Sequence, residues 1–157
     1  MNPGVQEFAG LLKSYSQMVE IPTLQPEEKK YCALNFDGHV IHLELKEETQ
    51  EIMFYATIAP LPANRRELLY ETLLEANYFF QMTKGGTLGV DTTLKKIALV
   101  YQTPLPGLNI HEFDKMLEKF VNLSVFWKNQ LHDWENILDD GSGPDAHRIS
   151  DIFPKLV

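Results

Sequence analysis

The sequence predicts an α+β fold, a single-domain αβββαββα sandwich with a mostly antiparallel sheet covered by helices on one side. Three observations predict it. Three stretches repeat apolar residues at helical spacing, five shorter runs are strand-like, and short turns join most of those runs. The turns imply antiparallel pairing, because parallel neighbours need a long crossover. The chain has 157 residues, 44% hydrophobic and 23% charged, the length of one ordinary domain. Residues 1–138 are expected to form that domain, and 139–157 a flexible C-terminal tail.

Pro3 suits the first position of a helix behind a capping Asn2. Val5, Phe8, Leu12, Tyr15 and Val19 recur on one face, which predicts a helix over 3–19 ended by Pro22 and Pro26. Tyr31–Asp37 then leads through Asp37-Gly38, a hairpin signal, into His39–Lys46. The second strand puts Ile41, Leu43 and Leu45 on one face and His42 and Glu44 on the other. The third, Glu51–Ala59, puts Ile52, Phe54, Ala56 and Ile58 on one face; Met53, Tyr55 and Thr57 form the other, which is not strongly polar.

Asn64 followed by Glu67 reads as a capping box, opening a helix from Arg65 to about Thr83 that Gly85-Gly86 stops. A hairpin follows, Thr87–Asp91 and Leu94–Gln102 with its turn at Thr92–Thr93. Asn109 and Glu112 repeat the capping arrangement. The last helix then carries Phe113, Leu117, Phe120, Ser124, Trp127, Leu131, Trp134 and Leu138 on one stripe. The segment DDGSGPD from Asp139 forms loop, and Ile152, Phe153, Leu156 and Val157 make the tail apolar enough to dock.

The second helix is apolar on two sides. Leu69, Leu73, Ala76 and Phe80, widened by Leu68 and Phe79, form a stripe suited to the sheet. Tyr70, Leu74 and Tyr78, spaced by four, form a second stripe on roughly the opposite side. A helix apolar on two sides is normally buried on both. A two-fold dimer with helix against helix is one way to cover the second stripe; the last helix or the tail is another.

Fourteen Lys and Arg against 22 Asp and Glu leave a net charge of −8, which disfavours nucleic acid as a partner. The single cysteine, Cys32, forms no internal disulfide, and no signal peptide or membrane-spanning run is present, so a cytoplasmic domain without membrane insertion is expected.

No catalytic, cofactor-binding or metal-binding set emerges. His39 and His42, three apart on a strand, point to opposite faces, while His111 and His132 lack a neighbouring ligand. Gly85-Gly86-Thr87-Leu88-Gly89 follows a helix and lacks the Lys-Ser/Thr of a phosphate loop. The aspartates of the tail lack the closing Glu of a calcium loop. Cys32 reads as a core thiol, and Glu44, Glu47, Glu48 and Glu51 as a solvated rim.

Several segments taken in order resemble a known family. They are Ala33-Leu34-Asn35-Phe36-Asp37, Leu61-Pro62, Leu73-Leu74-Glu75-Ala76-Asn77, Gly85-Gly86-Thr87-Leu88-Gly89-Val90-Asp91, Pro104-Leu105-Pro106, and Phe120-Val121 with Trp127. Their spacing resembles the class I type III secretion chaperones, the Tir chaperone (CesT-like) family, from about residue 5 to about 135. Where that family often ends its first helix with Leu-Gly-Leu, this chain reads Val19-Glu20-Ile21-Pro22. The resemblance implies a homodimer that binds the N-terminal region of secreted effectors and keeps it non-globular without ATP, with the secretion-apparatus ATPase as a further partner. It implies Tyr70, Leu74 and Tyr78 as dimer contacts. Effector chains in the family pack near the first helix and the sheet, which points to Leu11, Met18, Met53 and Tyr55, although core packing explains these equally. Two other functions stay open: a small-molecule-binding domain or enzyme on the same sandwich, and a chaperone relative that sequesters a regulator.

Overall fold

The computed structural model describes residues 2–132 and residue 134. Its elements are α1 (Pro3–Met18), β1 (Tyr31–Phe36), β2 (His39–Lys46), β3 (Glu51–Pro60), α2 (Arg66–Asn77), a 3-10 turn (Tyr78–Phe80), β4 (Thr87–Asp91), β5 (Lys96–Pro104) and α3 (Ile110–His132). The expected αβββαββα order stands. One five-stranded sheet has the order β1-β2-β3-β5-β4, and the pairs β1–β2, β2–β3 and β4–β5 are antiparallel. Leu138 and the tail from Asp139 lie outside the described residues. The chain divides into two compact units, Met1–Ala56 with Tyr101–Asn122, and Thr57–Val100 with the chain from Leu123.

In the first unit α1 starts as its sequence dictates: the Asn2 side chain accepts from the Gly4 N–H at 3.0 Å, with Pro3 next in line. The helix ends at Met18, one residue early, because Glu20 takes a left-handed φ of 56°. The Ile21 N–H then reaches back to the Ser16 carbonyl at 3.0 Å, the closing bond of a Schellman turn. Asp37 and Gly38, at φ 51° and 87°, form the two-residue hairpin between β1 and β2. Alternation then sends Cys32, Leu34, Ile41, Leu43, Ile52 and Phe54 into the core. Phe54 is the hub there, 5.9 Å in ring centroid from each of Tyr101, Phe113 and Phe120. The α3 start matches its capping box, with Asn109 Oδ1 accepting from the Glu112 N–H at 2.9 Å and Glu112 reaching back to the Asn109 N–H at 3.4 Å.

The second unit departs from expectation at both ends of α2. The helix starts at Arg66, with Arg65 at the cap position in a left-handed conformation and no side-chain cap. Asn64 thus sits one residue too early to cap, and the entry is held instead by Arg66 Nε donating to the Pro62 carbonyl at 2.8 Å. The α-helix stops at Asn77, well short of Thr83, because Tyr78 is extended and Phe79 and Phe80 take positive φ. Gly85-Gly86 therefore does not end a helix. Gly85, at φ 94°, turns the chain into β4, and a Cβ on Gly86 would lie 3.0 Å from the Val100 carbonyl oxygen. Leu69, Leu73 and Ala76 are buried as expected, whereas Phe79 and Phe80 are not. The stripe of α3 is buried through Trp134, and within this unit the Trp127 indole donates to the Met82 carbonyl at 3.1 Å.

Candidate functional site

The open face of β1–β3, in the first unit, is one candidate surface. Register places Tyr31, Glu44 and Met53 in one cross-strand row and Ala33, His42 and Tyr55 in the next. His42 stacks on Tyr55 with centroids 4.8 Å apart and planes 13° from parallel, and on Tyr31 at 5.9 Å and 25°. The Tyr31 hydroxyl and His42 Nδ1 are hydrogen-bonded at 2.7 Å. Lys46 Nζ donates to Glu44 at 2.8 Å beside them. Burial pushes both phenols up, with Glu27 adding to the effect at Tyr31 and Glu44 at Tyr55, so each stays a neutral hydroxyl at pH 7. The result is a half-buried platform with apolar ring surface and satisfied polar groups.

The platform borders an open strand edge. In a two-residue hairpin the flanking pair, Phe36 and His39, exchanges hydrogen bonds, and pairs alternate from there. Leu34 and Cys32 therefore bond to β2, while the backbone N–H and C=O of Ala33 and Asn35 point outward. Tyr31 is already taken: its N–H donates to the Glu27 carbonyl at 3.1 Å, and its carbonyl accepts from the Glu27 N–H at 2.6 Å. The opposite edge is closed differently. Asn77 turns its carboxamide onto β4, donating to the Leu88 carbonyl at 2.9 Å and accepting from the Leu88 N–H at 2.8 Å. One side chain thus imitates a neighbouring strand, leaving β1 as the more available template.

The second surface lies on α2 and the turn after it, in the second unit. Leu74, Tyr78, Phe79 and Phe80 are 69%, 69%, 74% and 54% exposed. Tyr78 and Phe79 meet edge to face at 4.4 Å, and a hollow beside Leu74 and Tyr78 reaches Met82. Such a cluster of large apolar groups marks an interaction surface.

Of the residues singled out from sequence, Leu74 and Tyr78 stand together in the open, with Tyr70 half-buried on the same helix. Met53 and Tyr55 lie half-buried on the open sheet face. Met18 is exposed at the end of α1, next to exposed Val19 and Ile21. Leu11 is 8% exposed and packs in the core, the alternative its sequence position leaves open, because it falls within the buried arc of α1. Phe79 and Phe80 were missed as surface residues, since only the backbone break after Asn77 turns them outward. Tyr31 and His42 were missed as ring neighbours, although strand alternation already put His42 on the face of Tyr55.

The Cys32 thiol is buried and pushed up by that burial and by Glu27, which suits packing rather than nucleophilic attack. Among the described residues no three His, Cys, Asp or Glu side chains gather in a metal-binding group, and no helix is long and apolar enough to cross a membrane.

The family model described as "Tir chaperone protein (CesT) family" matches residues 10–128. The chain belongs to that family. No curated protein matches it in sequence. Among solved structures, the CesT-family chain is similar to one from the ExsC–ExsE complex, at 20% identity and a TM-score of 0.70, covering 82% of this chain and 96% of the other. A chain of the HopA1–SchA chaperone–effector complex follows at 14% identity and 0.67, covering 82% and 98%. The E. coli protein YbjN gives 15% identity and 0.61, covering 80% and 92%. At these identities the likeness is one of fold.

Proposed function

We propose that this chain is a type III secretion chaperone, working as a homodimer in the bacterial cytoplasm, that binds the N-terminal region of one or more secreted effectors. The bound region stays extended and export-competent, and no ATP is consumed because binding alone holds it. Family membership supports the chaperone role. The observation that carries the binding mode is the open edge of β1 at Ala33 and Asn35 beside the Met53, His42 and Tyr55 face. An incoming strand gains sequence-tolerant backbone hydrogen bonds there, and the ring platform takes alternate side chains to set register. Such a grip suits a polypeptide that must not fold. Leu74 and Tyr78, with Phe79 and Phe80 beside them and Tyr70 at the flank, form the proposed dimer face. Met18 extends the apolar surface at the end of α1, and the secretion-apparatus ATPase is a further partner of the loaded complex.

The test is affinity purification of the tagged chain from its host under secretion-inducing conditions, followed by hydrogen exchange on the retained complex. Recovery of a secreted protein bound through its N-terminal segment, with slowed exchange at the Ala33 and Asn35 amides, is expected. A transcriptional regulator as the sole partner would make the chain a sequestering relative. Saturable stabilisation by a metabolite, with no polypeptide partner, would overturn the chaperone reading.

A further inference from the structure

The segment between α1 and β1 already meets the open sheet edge at one point. Glu27 and Tyr31 exchange both backbone hydrogen bonds, at 2.6 and 3.1 Å. Glu28 and Lys29, in the turn between them, hold φ of 48° and 66°. Two positive values in succession are those of the primed turns, whose twist suits continued antiparallel pairing. Pairing nevertheless stops at Glu27, and residues 21–26 carry no secondary structure.

Continuing the Glu27–Tyr31 register sets Gln25 opposite Ala33 and Thr23 opposite Asn35. Hydrogen-bonded pairs recur every second residue in antiparallel strands, so both pairs would bond as Glu27 and Tyr31 do. Ala33 and Asn35 are the β1 residues whose backbone turns outward. The segment itself fits that register in three ways. Leu24 and Pro26 are half-buried between exposed Thr23, Gln25 and Glu27, the alternation of a strand with its even positions on the side of buried Leu34. Pro22 and Pro26 fall where the nitrogen points away from β1, so neither costs a ladder bond. The Leu24 N–H points the same way and is held by Ser16 Oγ at 2.9 Å. The far edge of the added strand therefore offers no spare donor to a further chain.

We infer that residues 23–25 are a built-in strand that closes on the β1 edge when no partner occupies it. A bare edge is a template for unwanted pairing, and a short strand flanked by prolines is an effective cover for one. The Glu27–Tyr31 bridge is the hinge of this strap, and the Leu24–Ser16 bond its anchor. On the binding mode proposed above, on which this last step alone rests, an incoming strand displaces the strap to reach Ala33 and Asn35.

The test is hydrogen exchange on the free full-length chain, native and as T23P/Q25P. Proline at 23 and 25 removes the two N–H groups that face β1, beside positions that already hold proline. The Ala33 and Asn35 amides should exchange about tenfold faster in the variant, while the Leu34 amide, bonded to β2, keeps its rate. Unchanged rates at Ala33 and Asn35 would overturn the closure. A crosslink decides the matter if the prolines also disturb Leu34. T23C/N35C puts thiols on an in-register pair with Cα atoms about 5.5 Å apart, within disulfide reach. Under mild oxidation it should close about tenfold faster than Q25C/N35C, which is two residues out of register. Equal closure rates would overturn the register. No effector enters either experiment, so failure of the strap leaves the chaperone reading standing, and failure of that reading leaves the strap.

Discussion

The open sheet face and the α2 face both expose apolar surface, but they leave different things unsatisfied. On the sheet face Tyr31, His42 and Tyr55 stack on one another, Tyr31 and His42 share a hydrogen bond, and Glu44 is paired with Lys46. That face tolerates water, and what asks for a partner is the outward backbone of β1, the Ala33 N–H and the N–H and C=O of Asn35. The α2 face carries Leu74, Tyr78, Phe79 and Phe80 in the open. Fully burying each such side chain is worth about 1.5–3 kcal/mol, so this face favours a lasting apolar cover. A surface content without its ligand suits reversible capture; one that is not suits a permanent subunit contact.

The strongest way to break this contrast is to charge the α2 face. Leu74→Asp with Tyr78→Asp should convert the proposed dimer of twice 18.0 kDa into monomers, weakening association about a thousandfold, or about 4 kcal/mol, by sedimentation equilibrium. A double variant that stays dimeric would move the subunit contact elsewhere. Asn77→Leu comes next. It strips the Leu88 N–H and carbonyl of their partner, at about 2 kcal/mol, and should lower Tm by about 4–8 °C in a thermal melt. It would also open the second sheet edge, which tests whether β1 is the preferred template.

Smaller effects sharpen the sheet side. Tyr55→Ala should weaken binding of the effector segment about fivefold, or about 1 kcal/mol, in a calorimetric titration while leaving the dimer intact. Loss of dimer in that variant would mean the two surfaces are not separate in function. Glu20→Gly should stabilise the chain by about 1 kcal/mol, because glycine holds a left-handed C′ position without the Cβ penalty. A fall in Tm would show that the Glu20 side chain contributes more than its backbone costs.

The smallest effect concerns the exposed Lys30–Glu47 ion pair near the same edge. Hydrogen bonds from Lys30 and then Asn2 hold the Glu47 carboxyl below its ordinary 4.5, and the hydrogen bond with Glu47 raises Lys30 above 10.5. The Glu47 contribution is present above pH 4.5 and fades as pH falls through its lowered folded value. The Lys30 contribution is present below 10.5 and fades as pH rises through its raised value. Lys30→Met should therefore slightly flatten both limbs of a stability–pH curve, and most visibly the acid one. An unchanged acid limb would show that solvent screens the pair completely.

Much of this was legible in the residues. Asn2-Pro3, Asp37-Gly38 and Asn109 with Glu112 act over a few bonds, and each produced the local structure its chemistry demands. Strand alternation sorted Ile41, Leu43, Ile52 and Phe54 inward and left Met53 and Tyr55 on the open face. The second apolar stripe of α2 was also visible, as Leu74 and Tyr78. Asn64 misled because a capping side chain works only at the cap position, and the turn through Pro62 delayed the helix to Arg66.

The sequence by itself determined the element order, the hairpin, two helix starts and the core faces of the strands, because periodicity and turn chemistry are local. Tertiary structure alone decided where α2 stops. The carboxamide of Asn77 bonds to Leu88, eleven residues on, and the backbone then breaks at Tyr78–Phe80. That break turned two phenylalanines from expected core into surface. It was hidden because a helical spacing of apolar residues continues through the break, and only a bond to a distant strand shows where it ends.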